Sequence, residues 1–172
     1  MTDIFNERLS SWSKNPEIAP RLTLLTPGVG HRAFSAGGDM VARHKFTTGP
    51  NPDLERMDYV SFQEYLVIHR MAHAKHFQIA VWDGIVMGAS VGISINSDVR
   101  IATSKTMFAM PEAELGLFTD VGASYWLPRA VNDEVCFGLY LALTGKRIFG
   151  KDMVKWGLAT HYVPDEKLDL LK

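Results

Sequence analysis

One cysteine, Cys136, in 172 residues excludes an internal disulfide and fits a reducing compartment. No apolar run approaches the roughly 20 residues that a membrane-spanning helix needs. Neither sign of charge dominates: 18 Lys and Arg stand against 19 Asp and Glu, a formal net charge of −1. That balance supplies no electrostatic argument for nucleic acid or an anionic membrane as partner. The stretch from Met1 to Pro20 contains three acids and no apolar block, unlike a secretory signal or a transit peptide. Internal repeats and low-complexity tracts are also missing. These absences set the expectation of a soluble, intracellular globular chain. Its length and 47% apolar content suffice for one domain, residues 1–172, with a buried core.

What is present alternates between strand and helix signals. Met1 to Pro20 holds one helix. Leu22-Thr23-Leu24-Leu25 reads as a strand closed by Pro27-Gly28, and Thr47 to Asp53 reads as a linker around Gly49-Pro50-Asn51-Pro52. Asp58 to His76 has helical periodicity, and Phe77 to Trp82 is a buried-strand candidate ending at Asp83-Gly84. Gly88 to Asn96 reads as helix, Val99 to Thr103 and Met107 to Met110 as strands, Asp133 to Leu143 and Lys151 to Trp156 as helices. Such alternation predicts an α/β domain with mainly parallel strands.

Two segments look suited to presenting backbone N–H groups to a ligand. Phe34-Ser35-Ala36-Gly37-Gly38-Asp39 carries paired glycines that let a ligand atom approach the main chain. Trp82 to Ser90 runs from a strand through a turn into a small-residue helix start, where free amides favour negative charge. One donor from each would form an oxyanion hole, although glycine-rich turns are often only turns. Glu112 follows Met110-Pro111 among Phe108, Leu115, Leu117 and Phe118; apolar surroundings would raise its pKa toward neutrality. An exposed acid at a helix start is the plainer account of Glu112, an N-cap that of Asp120, and a capping box, Ser61 to Glu64, that of Glu64.

Three other patterns carry less. Gly28-Val29-Gly30-His31-Arg32-Ala33 matches a dinucleotide fingerprint by letter but leads into Ala-Gly-Gly-Asp rather than a helix. His69, His73 and His76 share a helical stretch, yet Arg70 stands where a zincin has Glu. Cys136 reads as a packing residue in an apolar helix. Phe137, Tyr140 and Trp156 read as core or subunit interface.

Taken together and in order, Ala-Phe-Ser-Ala-Gly-Gly-Asp (33–39), Gly-Ile-Val-Met-Gly-Ala-Ser-Val-Gly (84–92), Phe-Ala-Met-Pro-Glu (108–112) and Leu-Gly-Leu-Phe-Thr-Asp-Val-Gly (115–122) resemble the signature of the crotonase superfamily. The resemblance is strongest to its 3-hydroxyisobutyryl-CoA hydrolase branch and covers nearly all of this chain. It implies a (ββα)n spiral core of mainly parallel strands, lacking the family's first strands and C-terminal helical region. It also implies an acyl-CoA substrate with coenzyme A as part of it, and no separate cofactor or metal. Carried over by position, Gly38 and Ala89 become the oxyanion-hole amides, Glu112 and Asp120 the catalytic carboxylates, and Glu64, Gly37 and Asp39 substrate contacts. The family usually has glycine at the positions of Ala89 and Ser90, and commonly proline at Thr119. Hydratases carry their second glutamate where this chain has Gly92, so the pattern favours a hydrolase; a non-catalytic subunit and a hydratase or isomerase are the alternatives. The resemblance further implies a homo-oligomer or a subunit of a larger assembly, mitochondrial in a eukaryote and cytoplasmic in a bacterium.

Overall fold

The computed structural model describes residues 2–15, 17–28, 30, 32–131 and 135–171. In chain order the elements are α1 (Thr2–Lys14), β1 (Leu22–Leu25), β2 (Ala33–Ser35), α2 (Met40–Thr48), α3 (Leu54–Ala72), β3 (Phe77–Trp82), β4 (Ile85–Met87) and α4 (Ala89–Ser94). There follow β5 (Val99–Ala102), β6 (Met107–Ala109), a 3-10 turn at Glu112–Leu115, α5 (Ala123–Ala130), α6 (Val135–Thr144) and β7 (Ile148–Phe149). The chain closes with α7 (Asp152–Lys155), β8 (His161–Tyr162), α8 (Asp165–Leu168) and a 3-10 turn at Asp169–Leu171.

The strands form two four-stranded sheets, ordered β1-β3-β5-β8 and β2-β4-β6-β7. Each of the first three repeats places one strand in the first sheet, the next in the second, and then turns into helix. This is the expected strand–strand–helix spiral. Every pairing is parallel except β6 with β7. The interior strand β3 is buried from Ala80 through Trp82, as a strand covered on both faces should be. Trp82, Phe108, Met110, Leu127 and Leu141, all essentially inaccessible, join β3, β6, α5 and α6 in one core.

Several elements differ from the sequence reading, each for a local reason. The helix expected over 58–76 begins and ends about one turn earlier, because Asp53 caps it by accepting the Arg56 N–H at 2.8 Å. Ser61 to Glu64 is therefore helix interior, and the capping-box account of Glu64 fails. α2 is capped by Asp39, which accepts the Ala42 N–H at 2.9 Å. It buries no residue and so carries no apolar stripe to be read. β2 and β4 are three residues long, and α5 holds Pro128 in its interior, which hides it from a helix pattern. Cys136 is exposed rather than packed, since α6 buries Gly138 and Leu141. Phe137 and Trp156 do stack, with centroids 3.9 Å apart, against the core, while Tyr140 stays exposed. The expected start of α6 at Asp133 lies outside the described residues, as do Met1 of the first helix and Val29 and His31 of the fingerprint-like stretch. Ala33 opens a strand, not a helix.

The passage from sheet to sheet is fixed by buried hydroxyls. Thr106 Oγ1 accepts the Thr103 N–H at 2.6 Å and donates to the Trp82 carbonyl, and both threonines are fully buried. Thr106→Val keeps the shape and orphans both backbone groups, so it should cost about 1–3 kcal/mol. Urea denaturation should show this as a lower midpoint at an unchanged slope, whereas Ser104→Ala on the exposed side of the same turn should change little.

Candidate active site

β2, β4 and β6 lie parallel and adjacent, so the chain leaves all three at the same end of the sheet. The segments that follow them are Ala36 to Gly38, Gly88-Ala89 and Pro111-Glu112, and together they wall a pocket of about 80 Å³. Arg43 from α2, Glu64 from α3, and Asp120 and Val121 from the loop before α5 also line it, with Met40, Leu115 and Leu117 as further apolar wall.

The two glycine turns are pressed together. Gly37 has φ 95, and a Cβ there would sit 2.9 Å from the Met87 carbonyl oxygen and 3.4 Å from the Ala89 nitrogen. Gly88, at φ 55, precedes α4 without a capping side chain, so the first amides of α4 carry the unpaired donors of a helix start. Ser90 holds the arrangement: its Oγ accepts the Met87 N–H at 3.1 Å and lies 3.0 Å from the Ser35 carbonyl oxygen. The positive backbone angles fall on Gly37 and Gly88, not on Ala89, whose methyl packs against the core. Ala89 thus stays among the pocket-lining residues despite its side chain, as does Gly38.

Glu112 opens the 3-10 turn and is half-buried. A Cβ on Gly88 would lie 3.1 Å from its Oε1, and its Oε2 is buried without a hydrogen-bond partner. Burial raises its pKa, the Asp120 charge adds to this, and its own backbone N–H partly opposes it. The carboxylates expected at Glu112 and Asp120 thus face one pocket although eight residues separate them in sequence. Thr119 Oγ1 donates to the Ala142 carbonyl at 2.7 Å and anchors the Asp120 loop to α6. Val121 next to it is buried with φ 50, a strained conformation for a β-branched residue. Gly92 receives it: a Cβ at position 92 would be 2.8 Å from Val121 Cβ and 3.0 Å from Ile68 Cδ1.

Glu64 enters from the interior of α3, 7% exposed, and pairs with the Arg43 guanidinium. Burial raises the Glu64 pKa, with Arg43 lowering it and Asp120 raising it further. Asp39 is the exception among the expected site residues. It is exposed, its carboxylate caps α2, and it does not line the pocket. Sequence reasoning passed over Arg43, whose signal is its place on the first turn of the helix that Asp39 caps. It also passed over Tyr65, whose phenol pKa is raised by burial and by Asp120.

The family described as enoyl-CoA hydratase/isomerase matches residues 1–172. The chain is 42% identical over 165 residues to a mitochondrial 3-hydroxyisobutyryl-CoA hydrolase of Xenopus laevis, covering 96% of this chain and 40% of that protein. Among solved structures it superposes on a carnitinyl-CoA dehydratase from Mycobacterium thermoresistibile with a TM-score of 0.82 at 37% identity, over 98% of this chain and 47% of the other. An enoyl-CoA hydratase from Rhodobacter sphaeroides 2.4.1 gives 0.85 at 29% identity, over 99% and 48%. The chain thus spans under half the length of these relatives.

Two outcomes follow from the geometry. Gly92→Ala should cost about 1–3 kcal/mol by overpacking against Val121, measurable by thermal or urea unfolding. Glu112 binds its proton more tightly folded than unfolded, so its favourable contribution is complete below the ordinary glutamate pKa and is lost as pH rises through the raised folded value. Glu112→Gln should therefore be more stable than the parent at pH 7, and the gap should close toward pH 4.

Proposed function

The chain belongs to the enoyl-CoA hydratase/isomerase family, and on that premise we propose that its pocket hydrolyses a short-chain 3-hydroxyacyl-CoA thioester. The observation that carries this reading is the buried, unpartnered Oε2 of Glu112 beside the turns that bear the Gly38 and Ala89 amides. Those amides would polarise the thioester carbonyl, a type of contact worth about 3 kcal/mol of barrier per donor. Glu112 would then attack the carbonyl carbon or take a proton from the attacking water. On the base route the water oxygen forms the C–O bond, the C–S bond breaks, and the water's proton passes through Glu112 to the departing thiolate. On the attack route Glu112 forms the C–O bond of an anhydride as the C–S bond breaks. Water then hydrolyses the anhydride, and a proton released from that water balances the thiolate. Asp120 would orient the 3-hydroxyl and assist that protonation. Coenzyme A enters as part of the substrate. The names of the hydrolase relatives suggest the 3-hydroxyisobutyryl group and, in a eukaryote, a mitochondrial setting.

A hydratase's second glutamate has no room at position 92, where even a methyl meets Val121. A second reading is an acyl-CoA-binding subunit without turnover. It is favoured by the Arg43–Glu64 ion pair at a pocket of only about 80 Å³, when ligand sites commonly offer roughly 300–1,000 Å³.

The test is release of free CoA from 3-hydroxyisobutyryl-CoA. The parent protein should turn over, and Glu112→Ala should be slower by about 10²–10⁴-fold. In a single turnover in labelled water, label in the Glu112 carboxylate identifies it as the nucleophile, and unlabelled Glu112 identifies it as the base. Binding of the thioester without CoA release would establish the second reading, and a hydrated or dehydrated acyl product would overturn both.

A further inference from the structure

At the C-terminal end of α3 lies a second, larger cavity, of about 620 Å³. It opens between the C-terminal half of α1, residues 19–21 leading into β1, and the segment 69–76 that ends α3 and enters β3. Glu64 in the carboxylate pocket and His73 here are nine positions apart on one helix axis, about 13.5 Å at 1.5 Å per residue. The two cavities share no lining residue. This one lies where the first sheet's strands begin.

Its chemistry is one-sided. Arg21, Arg70 and Lys75 line it together with His69, His73 and His76, and no acid is among the described lining residues. The whole chain carries a net charge of −1, so this is a local concentration rather than a general excess. Basic residues in the last turn of α3 complement the helix dipole, which accounts for His69 and Arg70. It does not account for Arg21, from a separate segment, or for Lys75 beyond the helix. Neither of these two makes an ion pair among the described residues.

The groups are also held in place. Arg70 Nη1 donates to the carbonyl and Oδ1 of Asn6, at 2.7 and 2.9 Å, which fixes the guanidinium; its other donors have no hydrogen-bond partner among the described residues. The Arg21 carbonyl accepts the Phe77 N–H at 3.1 Å, which ties its backbone to the start of β3. Asp98, the acid that acts on His76, spends one oxygen on the Gln78 N–H at 2.8 Å. Trp12 and Leu9 supply an apolar wall, with the Trp12 ring edge-on to His76 at 5.8 Å. Arginine forks match phosphate oxygens in pairs, an indole offers a face for a flat ring, and the volume is that of a small-molecule site.

We propose that this cavity binds a small phosphorylated anion with two or more phosphate groups, independently of the carboxylate pocket and of the reaction assigned to it. The phosphates would lie between Arg21, Arg70 and Lys75, and any ring would lie on Trp12. The probes are ATP and inorganic tripolyphosphate, titrated at 150 mM salt into the full chain by calorimetry and tryptophan fluorescence. Saturable one-to-one binding is expected. It should weaken at least tenfold in Arg21→Ala/Lys75→Ala, whose side chains are exposed and whose loss should leave the fold's circular dichroism unchanged. Glu112→Gln should bind the probes as the parent does, and the double variant should bind acyl-CoA as the parent does, so the two sites fail or succeed separately. Tighter binding of ATP than of tripolyphosphate, with quenching lost in Trp12→Phe, would identify a nucleotide. Equal binding would identify a bare polyphosphate. No saturable binding at millimolar probe, or binding that the double variant leaves intact, would overturn the proposal.

Discussion

The structure depends on one geometric constraint: β2, β4 and β6 run parallel side by side, so three unrelated sequence segments leave the sheet at one edge. Parallel pairing requires a crossover between neighbours, and here each crossover passes through the first sheet and a helix. The cost is a long path between partners, and the gain is convergence. Ala36 to Gly38, Gly88-Ala89 and Pro111-Glu112 meet although they span more than 70 residues of chain. A slip in any of these pairings would move one wall of the pocket. The buried hydroxyls that fix the turns, Thr106 beneath Trp82 and Ser90 beside Ser35, therefore matter more than their size suggests.

Convergence creates an electrostatic conflict. Glu64, Glu112 and Asp120 surround a cavity of about 80 Å³ with one cation, Arg43, between the first of them and the turn at Gly38. Arg43 balances Glu64 in charge but not in desolvation, since the Glu64 pKa still rises. Among the described residues Glu112 has no counter-ion, and its Oε2 is buried without a hydrogen-bond partner. Such a group destabilises the fold unless a ligand or water satisfies it. The amides on the facing turns favour negative charge, so the site combines donors that want an anion with a carboxylate that resists ionisation. That combination suits a reaction in which negative charge appears on a substrate oxygen while a proton changes hands.

Much of this was legible in the sequence, and the parts that were not share a cause. β3 could be read to the residue because the apolar stretch Phe77 to Trp82 ends at the Asp83-Gly84 turn signal, with the buried Gln78 as its one polar interruption. β2 and β4 could not, because three residues have no periodicity; only the glycines after them gave notice. The catalytic candidates were recognisable by motif, yet their meeting was not, since Glu112 and Asp120 approach through a loop rather than a helix face. Asp39 was a substrate contact by resemblance, and Glu64 was both a capping-box residue by local pattern and a substrate contact by resemblance. Asp39 is the cap and lies outside the pocket, whereas Glu64, written inside a capping-box pattern, points into it. Local hydrogen-bonding rules specify what a side chain can do, but tertiary position decides which of them it does. Cys136 shows the same limit, as an apolar helix does not reveal which of its faces is covered.

The relation between Gly92 and Val121 links packing to the kind of chemistry the pocket can perform. Val121 holds a strained backbone angle because its side chain fills the space that a residue at position 92 would otherwise occupy. Asp120 directly precedes it, so the contact that holds Val121 also helps place Asp120 in the pocket that Glu112 lines. A glutamate at position 92 would bring a second carboxylate in from α4, but it would displace Val121 and with it Asp120. The two arrangements are therefore alternatives enforced by volume, not independent choices at two sites. In this chain the small residue is on the helix and the acid is on the loop. A carboxylate on a loop anchored by Thr119 lines the same pocket as Glu112 and contributes to raising its pKa. The steric fit at position 92 thus carries information about mechanism that neither carboxylate carries alone.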